Sequence, residues 1–154
     1  MKARTKYIIM FSLIVGFVAL DLITKWLFGD IGYTKIIPNL IHFETNFGND
    51  GAAWGILSGK KVLLILIGVA GLIGIFVLDF FLKRKSKLYI VAISMFIAGA
   101  LGNLIDRIFL GKVRDFINFS FINFPTFNLA DCFLTISVVL LGVYFCFLYD
   151  KEKK

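Results

Sequence analysis

Four stretches of this chain are long and apolar enough to cross the roughly 30 Å hydrocarbon core of a bilayer, which takes about 20 helical residues. They run from about Tyr7 to Phe28, Val62 to Leu82, Leu88 to Leu110 and Phe127 to Tyr149. A soluble fold made from these residues would have too little polar surface: 59% of the chain is hydrophobic, 18 residues are Phe, and the usual soluble fraction is roughly 45–50%. The expected fold is an all-α integral membrane protein of four transmembrane helices, and residues 1–154 read as a single domain. No soluble domain, low-complexity tract or internal repeat interrupts it.

The net charge of +7 would fit a nucleic-acid binder, but its distribution points elsewhere. Lys2, Arg4 and Lys6 precede the first span, Lys83, Arg84, Lys85 and Lys87 join the second to the third, and Lys151, Lys153 and Lys154 close the chain. Basic residues gathered at span ends are orientation signals, and an even number of spans puts all three groups on one side, the cytoplasm. The loops 29–61 and 111–126 then face outward, although Lys35, Lys60, Lys61, Lys112 and Arg114 leave the bias incomplete. The first span is longer than the apolar core of a cleavable signal peptide and no small-x-small site follows it, so it is expected to stay.

Cys132 and Cys146 lie fourteen residues apart in one span, about 21 Å along a helix, too far to pair with each other. No metal-ligand spacing occurs, and His42, the single histidine, reads as an ordinary strand or loop residue.

The first outer loop is long, which marks a functional segment. Residues 35–45 form a strand-like run broken by turn residues, and Asn49-Asp50-Gly51-Ala52-Ala53-Trp54-Gly55 supplies a turn and a small-residue stretch. A small outer β-structure followed by a short interfacial helix is expected between the first two spans.

Two aspartates flank the second outer loop. Asp115 follows the third span and Asp131 opens the fourth, so both belong at the outer membrane surface. An ionisable group near hydrocarbon is costly and marks a functional site. Two carboxyls held close share one proton, and such a pair can activate water and protonate a leaving group. Asn128 and Asp131, three apart, share a helix face. Taken alone they read as a helix N-cap and its early-turn acid, and taken with Asp115 on the facing loop they read as part of the site. In the third span Asn103 and Arg107 share a face, with Asp106 beside them. Arg107 either pairs with Asp106 or reaches a catalytic aspartate. Asp21 and Lys25, four apart in the first span, form a neutralising pair. Asp79 reads as an interfacial charge without a role.

In this order, Asp21-x-x-Thr24-Lys25, Asn49-x-Gly51-Ala52-Ala53-Trp54-Gly55, Gly102-Asn103-x-x-Asp106-Arg107, Val113-x-Asp115-Phe116 and Phe127-Asn128-x-Ala130-Asp131 resemble the motifs of bacterial lipoprotein signal peptidase, the type II signal peptidase. Each block alone is a weak signal, but five in sequence span nearly the whole chain. The resemblance implies an aspartic endopeptidase of the bacterial cytoplasmic membrane, multi-pass with both termini cytoplasmic. It would remove the signal peptide from diacylglyceryl-modified prolipoproteins, cutting on the amino side of the lipidated cysteine. It implies Asp115 and Asp131 as the catalytic dyad. Asn49, Asn103, Arg107 and Asn128 would position substrate or dyad, and Asp21, Lys25 and Asp106 would support the site. It implies no metal and no organic cofactor, and inhibition by globomycin-type cyclic peptides; membrane lipid as surroundings and a monomer are expected alongside. The chain departs from the family in Cys132, where serine is common. Asn46 competes with Asn49 for the loop position, but only Asn49 fits the Asn-x-Gly-Ala-Ala pattern.

Two other classes use similar materials. A small transporter would string its charges across the bilayer, whereas these gather at one face, Asp79 apart. A membrane scaffold would need no carboxyl pair.

Overall fold

The computed structural model describes residues 3–29, 32–46, Gly51, 56–84 and 86–150. Four helices, α1 (Ala3–Phe28), α2 (Lys61–Leu82), α3 (Lys87–Phe109) and α4 (Leu129–Val143), carry most of the chain, and α4 runs on as a π-helical turn, Tyr144–Leu148. All four, with the π segment counted into the last, are long and apolar enough to cross a membrane. Each expected span coincides with a helix, with ends shifted by a few residues.

The helix α3 is the hub, packed against α1, α2 and α4. Its buried positions include Ala92, Ser94, Ala98, Gly99 and Gly102, and small residues let helix backbones approach where no hydrophobic drive operates. A Cβ at Gly99 would stand 2.5 Å from the Ala130 carbonyl oxygen, so α3 and α4 meet nearly backbone to backbone. The outer faces of the other helices expose large apolar side chains such as Phe11, Val62, Phe81 and Phe147. Exposed apolar surface on this scale is the mark of a lipid-facing fold.

At the end of the bundle opposite the site, Lys6 of α1 pairs with Asp79 of α2, both nearly fully buried. Asp79, expected as an interfacial charge without a role, therefore joins two helices. Tyr89 and Tyr144 pack beside this end with ring centroids 5.0 Å apart.

The other end carries a three-stranded antiparallel sheet in the order β1 (Thr34–Ile37), β2 (Ile41–Asn46), β3 (Asp115–Phe119). The turn between β1 and β2 holds Asn39 at φ 59°, a left-handed conformation asparagine tolerates. The expected outer β-structure is present, but it does not lie wholly in the first loop. Its third strand comes from the second loop, with Ile41 opposite Phe119, Phe43 opposite Ile117 and Asn46 opposite Asp115. The expected interfacial helix falls largely on residues 47–50 and 52–55, outside the described residues, and 56–59 form a turn. Phe28, Phe43 and Phe116 stack with centroids 4.8–5.6 Å apart, seating the sheet on the end of α1. His42 lies on β2 with its Nδ1 2.8 Å from the Ser120 hydroxyl. Cys132 and Cys146 are both free thiols.

Candidate active site

The sheet fixes where the two aspartates stand. Asp115 is the first residue of β3, and Ile117 two residues on exchanges backbone hydrogen bonds of 2.9 Å with Phe127. That bridge delivers the chain to Asn128, the N-cap of α4. The Asn128 Oδ1 accepts from the Asp131 backbone N–H at 3.0 Å, and the Asn128 N–H donates to Asp131 Oδ2 at 3.2 Å. Two of the donors left over at the helix start are thereby satisfied reciprocally. The capping reading of this pair is correct, and it coexists with a second set of contacts.

Asn128 Nδ2 donates to Asp115 Oδ1 at 2.7 Å and to Asn103 Oδ1 at 3.0 Å. Asn103 Nδ2 donates to Asp131 Oδ1 at 2.7 Å. Each carboxyl thus accepts from a side-chain amide, and the two amides are bonded to each other. Asp115, Asn103 and Asn128 are buried, while Asp131 is half-buried.

A cluster of four charges lies behind this group. Lys25 Nζ, 1% exposed, is 2.9 Å from Asp21 Oδ2, 3.4 Å from Asp106 Oδ2 and 3.0 Å from Asn103 Oδ1. Asp21 Oδ1 accepts from the Ala130 N–H at 2.9 Å, tying α1 to the start of α4. Asp106 is gripped by Arg114 through Nη2 at 2.7 Å and Nε at 3.3 Å, and by the Arg114 backbone N–H at 3.0 Å. Two cations meet two carboxylates, so the cluster is neutral, which is what makes burial of its members tolerable.

Of the two roles left open for Arg107, pairing with Asp106 is not the one found. Among the described residues Asp106 pairs with Lys25 and Arg114, and Arg107 donates through Nη2 to the Gly51 carbonyl at 3.1 Å. Arg114 is the supporting residue missed from the sequence. In the sequence it reads only as an outer-loop charge, and its one signal is its place next to Asp115. Asn49 lies outside the described residues, as does the side chain of Asn46.

The two aspartates open onto a cavity of about 620 Å³. Asn103, Arg107, Asp115 and Asp131 form its polar part, and Phe119, Phe124 and Phe127 an aromatic wall. Those three rings contact one another at 5.1–5.9 Å. Leu134, Ile136 and Cys132 of α4 line the side toward the helices. Volume and mixed lining suit a bound organic or peptidic group. Among the described residues no three His, Cys, Asp or Glu side chains converge as metal ligands would.

Comparison with known proteins shows the family. The family described as signal peptidase (SPase) II matches residues 13–147. The chain is similar to the lipoprotein signal peptidase of Lactococcus lactis subsp. lactis (strain IL1403), 39% identical over 153 residues that cover 97% of this chain and 99% of that one. It is also similar to the lipoprotein signal peptidase of Staphylococcus haemolyticus (strain JCSC1435), 42% identical over 147 residues, covering 90% and 92%. A bacterial membrane enzyme solved by the in meso method at 2.3 Å resolution superposes with a TM-score of 0.78 at 37% identity, over 94% of this chain and 90% of that one. A second, at 1.9 Å, superposes with a TM-score of 0.76 at 37% identity, over 88% and 91%.

Proposed function

The chain belongs to the signal peptidase II family, the lipoprotein signal peptidases, and from that premise we propose that it is an aspartic endopeptidase whose dyad is Asp115 and Asp131. Membership makes it a protease that removes signal peptides from prolipoproteins, and its four apolar helices fit a multi-pass protein of the bacterial inner membrane. The single observation that carries the finer reading is the arrangement of the two carboxyls. Each is held by a side-chain amide and both line one cavity.

Peptide hydrolysis needs a base for the attacking water and an acid for the departing amine. A carboxyl pair sharing one proton supplies both. The ionised member takes a proton from water as its oxygen adds to the scissile carbonyl carbon. The protonated member gives its proton to the nitrogen as the C–N bond breaks. Asn103 and Asn128 hold the pair by donation. Arg107 lines the cavity and donates to the Gly51 carbonyl, and Asn49, two residues before Gly51 in the chain, would bond the substrate backbone.

The substrate is a diacylglyceryl-modified prolipoprotein, cut on the amino side of the lipidated cysteine. Its signal peptide is itself an apolar helix, so a site beside the α3–α4 face and near the outer membrane surface reaches the cut point without drawing that helix from the bilayer. The basic clusters support cytoplasmic termini and an outward dyad. Residues 1–154 act as one membrane-embedded domain, as a monomer with no cofactor. A cyclic peptide of the globomycin type would occupy the same cavity.

The test is cleavage of a diacylated prolipoprotein by purified Asp115→Asn and Asp131→Asn proteins shown to be folded by thermal unfolding. Each should lose several orders of magnitude, since one general acid–base group is worth about 10²–10⁴-fold. The double variant should be scarcely worse than either single, because the two act as one unit. Near-normal cleavage by either single variant refutes the dyad.

A further inference from the structure

We infer that Lys25, which does not line the cavity, is a positioning residue for the reaction, acting by holding the Asn103 amide in the one orientation that presents its NH2 to Asp131. The inference rests on the dyad reading above. Asn103 offers an oxygen on one side and an NH2 on the other. Its oxygen receives two donors, Lys25 Nζ and Asn128 Nδ2, each at 3.0 Å, and its nitrogen faces Asp131 Oδ1 at 2.7 Å. If the amide turned over, its NH2 would meet an ammonium and another NH2, and its oxygen would meet a carboxyl oxygen. Every contact would be wrong in sign, inside a buried site where an unmatched polar group is costly.

Lys25 is the fixed end of this chain. An ammonium has three donors, and here they face three acceptors: Asp21 on its own helix, Asp106 on α3, and Asn103. Two carboxylates on different helices pin the nitrogen, so it does not follow Asn103 if that side chain moves. Asn128, the other donor, is less constraining, because its NH2 also serves Asp115. Orientation thus passes from Lys25 to Asn103 to Asp131, and from Asn103 through Asn128 to Asp115. One buried cation orders both carboxyls without touching either.

A purely structural role for Lys25, neutralising Asp21 and Asp106, makes a different prediction, and a double-mutant cycle separates the two. The variants are Lys25→Met, Asn103→Leu and the pair together, assayed for kcat and KM on a diacylated prolipoprotein in detergent. Lys25→Met should lower kcat by roughly 10–100-fold, by analogy with the loss of a partner that orients a metal-ligating side chain. KM should change little, because Lys25 does not line the cavity. In the Asn103→Leu background Lys25→Met should cost nothing further, because no amide remains to orient. Multiplicative losses, an unchanged kcat, or a loss confined to KM overturn the inference. Lys25→Met leaves two buried carboxylates short of a cation and is at risk of misfolding. The cycle is therefore repeated with Asp21→Asn/Lys25→Met, which removes a charge of each sign, read against Asp21→Asn alone. Failure of both forms to fold assigns Lys25 to folding and also overturns the inference. Asp115→Asn and Asp131→Asn are assayed beside them. If those remain active the dyad reading falls, whereas if they are dead and the cycle is multiplicative only the positioning role falls.

Discussion

Asn128 and Asp131 are bonded to each other twice, side chain to backbone in both directions at 3.0 and 3.2 Å, and the same two side chains also bond across to Asp115 and Asn103. The cap that starts α4 and the grip on the aspartate pair are one structure. The two ends of one amide are used separately: the oxygen caps α4 by accepting from the Asp131 N–H, and the nitrogen donates to Asp115 and Asn103.

That division is separable by substitution. Serine at position 128 keeps an oxygen for the Asp131 N–H but has no amide donor for Asp115. Alanine keeps neither. Turnover should fall alike in Asn128→Ser and Asn128→Ala, while Ala should be the less stable by about 1 kcal/mol, the usual worth of an N-cap. Chemical denaturation and a cleavage assay on the two proteins decide it. Near-normal turnover by the Ser variant would mean that the bond to Asp115 does not matter to the reaction.

Arg114 and Arg107 should fail in different ways. Arg114 grips Asp106 with a fork of side-chain donors and its own N–H, a geometry lysine cannot reproduce. Arg114→Ala should lower the thermal unfolding midpoint more than Arg107→Ala, and Arg114→Lys should not restore it. Arg107→Ala leaves both partners of Asp106 in place and removes a cation from the cavity wall, so its cost should appear in turnover. A larger loss of stability from Arg107→Ala would contradict this assignment.

Gly102 is a site of close approach. A Cβ there would fall on Asp21 Oδ2 and stand 3.3 Å from the Ala130 Cβ. Gly102→Ala should therefore push Asp21 off Lys25 and destabilise the protein by about 1–3 kcal/mol, the usual cost of overpacking. Gly16 meets nothing within 4 Å, and Gly16→Ala should be neutral or stabilising. Unfolding midpoints of the two variants provide the comparison, and equal midpoints would remove the case for a tight α1–α3–α4 junction.

Orientation is testable with single cysteines at Ser86 and Thr126 in a background lacking Cys132 and Cys146. An impermeant thiol reagent should reach only Thr126→Cys from outside intact cells whose outer face is open to it, and only Ser86→Cys from inside. Labelling of both from one side would overturn the cytoplasmic assignment of the termini.

Much of the fold is legible in the residues because its causes are local. Each helix is a run of apolar residues of bilayer length, and a helix in hydrocarbon satisfies its own backbone. The placing of Asn103 beside Asp106 and Arg107, and of Asn128 beside Asp131, follows from helical spacing alone. The third strand was not legible. Asp115–Phe119 pairs with a strand some seventy residues earlier, and its five residues read as readily as loop.

By itself, the sequence determined four helices, the end of the bundle at which the candidate site residues gather, and the membership of both aspartates in that set. Tertiary structure decided who partners whom. Asp106 lay within sequence reach of Arg107 on its own helix, yet it took Lys25 from α1 and Arg114 from the following loop, while Arg107 turned to Gly51. Asn103 and Asn128 could each have faced either aspartate. In the fold Asn103 faces Asp131 and Asn128 faces Asp115. Hydropathy and helical period act over a few residues and are written in the chain, whereas a donor with several equivalent acceptors chooses among them only when packing has set which is within 3 Å and which is left in water.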